Sequence, residues 1–420
     1  MATTITINRS RTVGYGTVSD QQKKSPKALS KRGRATMLGA GVGVVALGVA
    51  GCGPSLTMVS APWSESQAVI QSALFGDKNV TFDKSPVISV ENGRITDVTV
   101  SGPNGKQVGG EPINGGTAWK IDTTDLDFGT KYTVTAAAVD LRGKETNTTD
   151  SFRTFVPEKE LTATTNLTDG STYGVGMPIQ VTFNLPIQNR AAIEEKLGVT
   201  VDGQPVEGAW NWESDTAVTY RPKEYWPANS KVELDAEIKG VNAGDQVYAL
   251  TNKNEDFRTG AEMILTQDSV KHQMTVKRNG KVIRTIPTST GRPGHETRSG
   301  TDVLMSKEDH VVMDSATVGV PEGDPDYYRL DVYNAMRISW SGEYIHSAPW
   351  SVGSQGYANV SHGCINVSPD NASWLMQNAN VGDIVIVKNT GLEHDGNDGN
   401  GWTMWNTSWN DWKSGSALDS

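Results

Sequence analysis

Tyr344-Ile345-His346-Ser347-Ala348-Pro349-Trp350-Ser351-Val352-Gly353-Ser354-Gln355-Gly356-Tyr357-Ala358-Asn359-Val360-Ser361-His362-Gly363-Cys364-Ile365-Asn366 is the stretch around which this chain of 420 residues is organised. Fourteen residues separate His346 from Ser361-His362-Gly363-Cys364, and Asn366 follows two positions later. Cys364 is one of only two cysteines, so it has almost no candidate partner for a structural disulfide, and two of the six histidines lie within eighteen residues of it. A thiol is a strong nucleophile only as thiolate, and a neighbouring imidazole is the usual means of making one near neutral pH. Gly363 lets the backbone approach a substrate carbonyl, where amide N–H groups can stabilise an oxyanion. Further on, Ser368-Pro369 reads as N-cap and first residue of a helix running through Ala372, Leu375 and Met376 to about Ala379. Ile384-Val385-Ile386-Val387 then reads as an apolar strand. A cysteine between a loop and a helix start also gains from the helix dipole, which favours the thiolate.

Two other readings compete on residue types alone. A lone cysteine is often a small buried hydrophobe, and His346, His362 and Cys364 are all zinc-ligand types. Neither Cys-x-x-Cys nor His-Glu-x-x-His accompanies them, so nucleophile plus base is the preferred reading.

The pattern His-x14-Ser-His-Gly-Cys-Ile-Asn resembles the signature of the L,D-transpeptidase (YkuD-like) family, which remodels bacterial peptidoglycan, and the likeness extends over His346–Trp350 and Ser361–Pro369. It is most similar to the actinobacterial, mycobacterial-type members. The resemblance implies acyl transfer in which His346 takes the proton of Cys364 and the main-chain carbonyl of Ser347 orients the imidazole. Backbone amides near Gly363 and Cys364, with Tyr328, would hold the oxyanion. Tyr328 matches a family tyrosine, although neighbouring Tyr327 fits after a one-residue slip. Met313, Ser341, Gly342 and Asn366 would contact substrate, with Ser341-Gly342 on the strand leading to His346. Met313–Gly319 and Pro321–Asp326 would form a mobile lid. His362 is ambiguous: it shapes the loop or replaces His346 as base. The implied donor is a tetrapeptide stem cut between diaminopimelate and D-Ala, the acceptor a second diaminopimelate amine, and the product a 3→3 cross-link. Carbapenems would acylate Cys364, and neither metal nor organic cofactor is implied.

Residues 1–51 read as an export segment. Lys23, Lys24, Lys27, Lys31, Arg32 and Arg34 precede an apolar run from Met37 to Ala50, shorter than the ~20 residues of a spanning helix. Val49-Ala50-Gly51-Cys52 resembles a lipobox, making Cys52 the lipidated first residue of a mature chain anchored to the outer face of the cell membrane; an uncleaved N-terminal anchor is the alternative. The long polar stretch ahead of the basic residues suggests a start downstream of Met1. Residues 1–51 hold eight Lys/Arg and one Asp, so the net charge of −10 becomes −17 beyond them, from 30 basic and 47 acidic residues. That balance excludes nucleic acid as a partner.

After a linker (52–60), residues 61–155 and 156–260 read as tandem immunoglobulin-like β-sandwiches. Both carry short alternating runs such as Tyr132–Ala136, and Phe152-Arg153-Thr154 recurs as Phe257-Arg258-Thr259, 105 residues later. Trp119 in one, and Trp210 or Trp212 in the other, are expected core residues. These modules serve as a spacer or bind the wall. Residues 261–388 form the expected catalytic domain, mostly β with one short helix after Cys364. It contains a hairpin around Asn279-Gly280 and strands at Val303–Met305, Val311–Met313, Leu330–Tyr333 and Met336–Trp340. The extension 389–420 holds Trp402, Trp405, Trp409 and Trp412. It is expected to fold back on the catalytic domain, or, if exposed, to bind glycan. The whole reads as a mainly β protein.

Other function classes remain open. A sortase-like enzyme needs an Arg after its Cys strand, and none follows Arg337. A wall-binding protein without activity explains the β modules but not the Cys/His motif. Hydrolysis by water, as an L,D-carboxypeptidase, fits the same residues.

Overall fold

Strand alternation builds the N-terminal modules. Along Lys131–Asp140, Tyr132, Val134, Ala136, Ala138 and Asp140 are buried while their neighbours face out. The structure, a computed structural model, describes residues 65–82 and 86–418; the expected export segment, lipobox and Cys52 lie outside the described residues. In the first sandwich, Gln107–Val108, Gly93–Ser101, Lys131–Asp140 and Glu145–Arg153 form one sheet. Val69–Gln71, Val87–Glu91, Ala118–Ile121 and Gly110–Ile113 form the other. Ile88 and Ile121 pack against Val100, Tyr132, Val134 and Phe152 between them, while Trp119 is only half-buried.

The second sandwich pairs the sheet Ala163–Thr165, Ile179–Phe183, Ala217–Pro222, Gly208–Trp212 with a five-stranded sheet. The latter runs Ser171–Tyr173, Lys253–Thr259, Lys231–Ala236, Leu197–Val201, Gln204–Pro205. Both Trp210 and Trp212 are buried in its core.

The Phe-Arg-Thr repeat has a structural meaning. Phe152 and Phe257 fill equivalent core positions. The following threonine hydroxyl accepts from a backbone N–H at the start of the paired strand and donates to a carbonyl of the loop before it. For Thr154 these are Thr130 N (2.8 Å) and Asp127 O (2.6 Å); for Thr259 they are Ser230 N (2.9 Å) and Pro227 O (2.6 Å). Each clasp satisfies buried backbone groups at a sheet end.

The expected catalytic domain, residues 261–388, has two sheets. The first runs Lys281–Pro287, Gln273–Arg278, Met263–Asp268, Ile384–Lys388, Gly300–Val303, with the hairpin turning at Asn279-Gly280. The second runs Ser306–Asp314, Arg329–Arg337, Tyr344–Ser347, Ile365–Val367. Helix Pro369–Asn378, capped by Ser368 on Asn371 N, packs Ala372 and Leu375 into the core that joins them. Two expected strands, Leu330–Tyr333 and Met336–Trp340, are one strand that stops at Arg337. Leu304 and Met305 likewise lie beyond the strand Gly300–Val303.

Gly174 and Gly176 of the second sandwich donate to the carbonyls of Val381 (2.7 Å) and Gly382 (2.8 Å). A Cβ on Gly174 would fall 2.1 Å from Asp383 N, so only glycine allows this backbone-to-backbone joint.

The tail departs from expectation in its packing partner. It does touch the catalytic domain, through Asn406 Nδ2 donating to Thr301 O (2.9 Å). Its tryptophans, however, go to the second sandwich. Trp412 is fully buried and donates from Nε1 to Ala209 O (3.0 Å), and Trp405 Nε1 donates to Gly176 O (3.1 Å). Trp405, Trp409 and Trp412 surround the Arg221 guanidinium at 5.0–5.2 Å. The cause is twofold: Gly208–Trp212 is an edge strand that needs covering, and buried Arg221 has no carboxylate at ion-pair distance among the described residues, so aromatic faces take its charge.

Candidate active site

Parallel pairing brings the two halves of the motif together. Strand Tyr344–Ser347 lies beside Ile365–Val367 with His346 opposite Asn366, and Cys364 stands one residue before the second strand. The seventeen residues between are the crossover that a parallel pair requires. His346 and Cys364 both line a cavity of about 220 Å³, with Met313, Tyr328, Trp350 and His362 among its walls. A second cavity of about 220 Å³ shares Met313 and Tyr328 with it and is also lined by Gly342, Trp340 and Tyr344. Tyr327 lines neither.

His346 is buried, and its Nδ1–H donates to Ser347 O at 2.9 Å, which leaves Nε2 as the nitrogen able to take a proton. Burial pushes the imidazole down to about 4 and the Cys364 thiol up to about 12. Both groups are therefore neutral at pH 7. The thiol donates to the Gly342 carbonyl, Sγ to O 3.6 Å, and among the described residues no hydrogen bond joins it to His346. Its expected gain from a helix dipole is absent: strand Ile365–Val367 intervenes before helix Pro369–Asn378, and the dipole falls off within one turn.

Gly363 (φ +120°) needs its glycine for that backbone angle, yet its N–H is already used, donating to Ser361 Oγ at 3.2 Å. Ser361 Oγ in turn donates to Cys364 O (2.6 Å), and Thr297 Oγ1 to Gly363 O (2.6 Å). Gly363 thus shapes the loop and is no oxyanion donor. Ser361 and Thr297, which build that loop, are functional residues that residue-type reasoning passed over; Ser361 sat inside the motif, whereas Thr297 gave no signal. Asn366 is buried and donates from Nδ2 to Ser351 Oγ (3.1 Å), bracing the turn after His346 at the cavity floor.

His362 is exposed at the mouth. Its ring lies 4.9 Å from Tyr328 and 5.0 Å from His295. Among the described residues no three His, Cys, Asp or Glu side chains converge as a metal would need, so the zinc alternative assembles no ligand set. Burial pushes the Tyr328 phenol up to about 12, so it remains a donor. Ser341 lines neither cavity. It sits in the turn after Arg337, not on a strand, and faces Asn400 of the tail. The expected lid residues Ser315–Gly319 include a short helical turn. Ser315 Oγ accepts from Tyr328 N at 2.9 Å, and Arg292 pairs with Asp326.

A family model for the L,D-transpeptidase catalytic domain matches residues 263–387. L,D-transpeptidase 2 of Mycobacterium tuberculosis (strain CDC 1551 / Oshkosh) is 37% identical over 343 residues, 81% of this chain and 83% of that protein. The chain belongs to the L,D-transpeptidase family. L,D-transpeptidase 1 of M. tuberculosis (strain ATCC 25618 / H37Rv) is 42% identical over 219 residues, 52% of this chain and 81% of that protein. A bacterial Ig domain model matches residues 77–242, a span that crosses both sandwiches. Among solved structures, L,D-transpeptidase 3 of M. tuberculosis with a faropenem-derived adduct is 35% identical, covering 54% of this chain and 97% of that one, TM-score 0.45. The L,D-transpeptidase of Mycobacterium smegmatis is 39% identical, covering 55% of this chain and 99% of that one, TM-score 0.46. The enzyme is an L,D-transpeptidase: an acyltransferase with a cysteine nucleophile.

Proposed function

We propose that this L,D-transpeptidase forms 3→3 peptidoglycan cross-links through a thioester on Cys364, with His346 as the single acid–base group. The observation that carries the assignment is the His346 Nδ1–Ser347 O bond beside the cavity shared with Cys364. It fixes the tautomer whose Nε2 accepts a proton. Because acid and base are both neutral at rest, the proton leaves Sγ during attack on the stem carbonyl, once the thiol has turned from Gly342 O. With the Gly363 amide committed to Ser361, the Cys364 N–H and the Tyr328 hydroxyl hold the oxyanion. The C–N bond then breaks, His346 returns its proton to the departing D-Ala amine, and a thioester remains. A diaminopimelate amine attacks it, gives its proton to His346, and releases the thiol. The two cavities meeting at Met313 and Tyr328 provide separate approaches for donor and acceptor.

β-Lactams such as carbapenems acylate the same thiol in this reading, and that gives the test. Intact mass of the 60–420 fragment after meropenem should show one adduct on wild type, none on Cys364→Ala, and much slower addition on His346→Ala. An unmodified, well-folded wild type would sink the proposal; an unchanged rate in His346→Ala would move the base role to His362. The Lys-rich leader and Val49-Ala50-Gly51-Cys52 support a lipid anchor on the outer membrane face. Cys52→Ala should then shift the protein from the membrane to the soluble fraction, and no shift would refute the anchor.

A further inference from the structure

The acceptor that meets the Cys364 thiol belongs to a turn held from outside the catalytic domain proper. Gly342 lies between strands Arg329–Arg337 and Tyr344–Ser347, and its carbonyl faces Sγ at 3.6 Å. Inside the domain the turn is tied by Ser339, whose Oγ accepts from Glu343 N (3.0 Å). On the other side it is gripped by one residue of the C-terminal extension. Asn400 Oδ1 accepts from Ser341 N at 2.8 Å, and Asn400 Nδ2 donates to Ser341 Oγ at 2.9 Å, across 59 residues of sequence. The grip therefore acts on both main chain and side chain of the residue just before Gly342.

Asn400 is itself anchored. Its N–H donates to Asp398 Oδ1 (3.0 Å), and Asp398 Oδ2 accepts from His394 Nδ1 (2.9 Å). The other ring nitrogen of His394 lies 3.1 Å from Asp302 Oδ1 on strand Gly300–Val303, both side chains almost wholly buried. Burial alone would lower the imidazole, but Asp302 and Asp398 outweigh it and raise it to about 9, so the anchor stays charged at pH 7. The loop also runs close to the turn: a Cβ on Gly401 would meet Ile338 O at 3.0 Å.

We propose that Asn400 is a positioning residue of the active site, which fixes the Ser341–Gly342 turn so that the Gly342 carbonyl holds the Cys364 thiol in its resting orientation and in its protonated form. A carbonyl stabilises S–H by accepting from it and destabilises the thiolate by repelling it. The other ionisable groups around Sγ are Glu343, which shares the gripped turn, and His346 and the phenols of Tyr328 and Tyr344, which lie outside it. The inference rests on Cys364 being the nucleophile.

Alkylation of Cys364 in the full-length chain in detergent, followed by intact mass with iodoacetamide from pH 6 to 10, separates the possibilities. In Asn400→Ala the profile should move to lower pH by at least ~0.5 unit, which makes alkylation about threefold faster at pH 7. Asn400→Asp keeps an acceptor for Ser341 N–H and adds negative charge, so its profile should stay with wild type or move to higher pH. Ser341→Ala, which loses the Nδ2–Oγ bond and the 3.0 Å bond between the Ser339 and Ser341 hydroxyls but keeps Asn400 Oδ1 on its N–H, should move as Asn400→Ala does but less, and supplies the answer if Asn400→Ala melts early. An Asn400→Ala profile superimposed on wild type overturns the proposal, as does a shift of both Asn400 variants in the same direction. A wild type not alkylated at Cys364 overturns it together with the nucleophile assignment, whereas an intact meropenem adduct with unmoved profiles overturns it alone.

Discussion

Both sandwiches close with the same threonine clasp, but they are joined to their neighbours by different chemistry. The first meets the second through an aromatic contact: Tyr248 packs on Phe155 (4.6 Å) and Phe128 (6.4 Å), with Lys239 Nζ 3.0 Å from Asp127 Oδ1. Lys239 Nζ also donates to Thr124 O (3.2 Å), so a side chain takes part in each of these contacts. The second meets the catalytic domain main chain to main chain at Gly174 and Gly176, and the tail sews it down again with Trp405 and Trp412. The second sandwich, the tail and the catalytic domain are therefore expected to unfold together, with the first sandwich the less firmly joined. Since Asn400 belongs to the same tail, damage at the second joint should reach the nucleophile, and damage at the first should not.

Trp412→Ala is the strongest way to break that distinction. Emptying a fully buried indole costs about 3–5 kcal/mol and uncovers the edge strand Gly208–Trp212. Differential scanning calorimetry should show a large loss in the transition that carries the catalytic domain, with slower meropenem acylation. If acylation is untouched, the tail is not part of the catalytic unit. Thr259→Val and Thr154→Val come next. Each strands a buried backbone N–H and carbonyl, costing about 1–3 kcal/mol. The Thr259 change should lower the catalytic transition and the Thr154 change only the other; equal effects on both transitions would show that the first sandwich is not merely appended.

Much of this was legible because its causes are local. Alternation in Lys131–Asp140, the Asn279-Gly280 turn and the Ser368-Pro369 cap each act over a few residues, and the His346…Cys364 spacing is the length of one crossover. What escaped has its cause far away in sequence. The tail's tryptophans go to Arg221, whose own bond to Thr407 O spans 186 residues, and Ser341 belongs to Asn400 rather than to substrate. Ile365-Asn366-Val367 is too short to announce a strand, which is why Cys364 read as a helix-start cysteine. The loss of the Gly363 amide depends on one serine rotamer, and no spacing rule encodes that.

The main-chain joint also carries a buried acid. Asp383 is fully buried beside Gly174; Oδ2 accepts from Asn380 N (2.7 Å), while Oδ1 has no partner among the described residues. Burial raises the carboxyl to about 7 from an ordinary value of 3.8. The folded chain therefore binds this proton between pH 3.8 and 7 while the unfolded chain has released it. The stability it lends is fully present below 3.8 and is lost as pH rises through 7. Asp383→Asn is neutral at every pH and keeps an acceptor for Asn380, so its melting temperature should exceed that of wild type at pH 8, by the equivalent of roughly 4 kcal/mol, and come close to it at pH 4. The gain should appear in the catalytic transition, because that is where the joint lies. A variant no more stable at pH 8 than at pH 4, relative to wild type, would mean that Asp383 is ionised in the fold and that the glycine joint tolerates a charge.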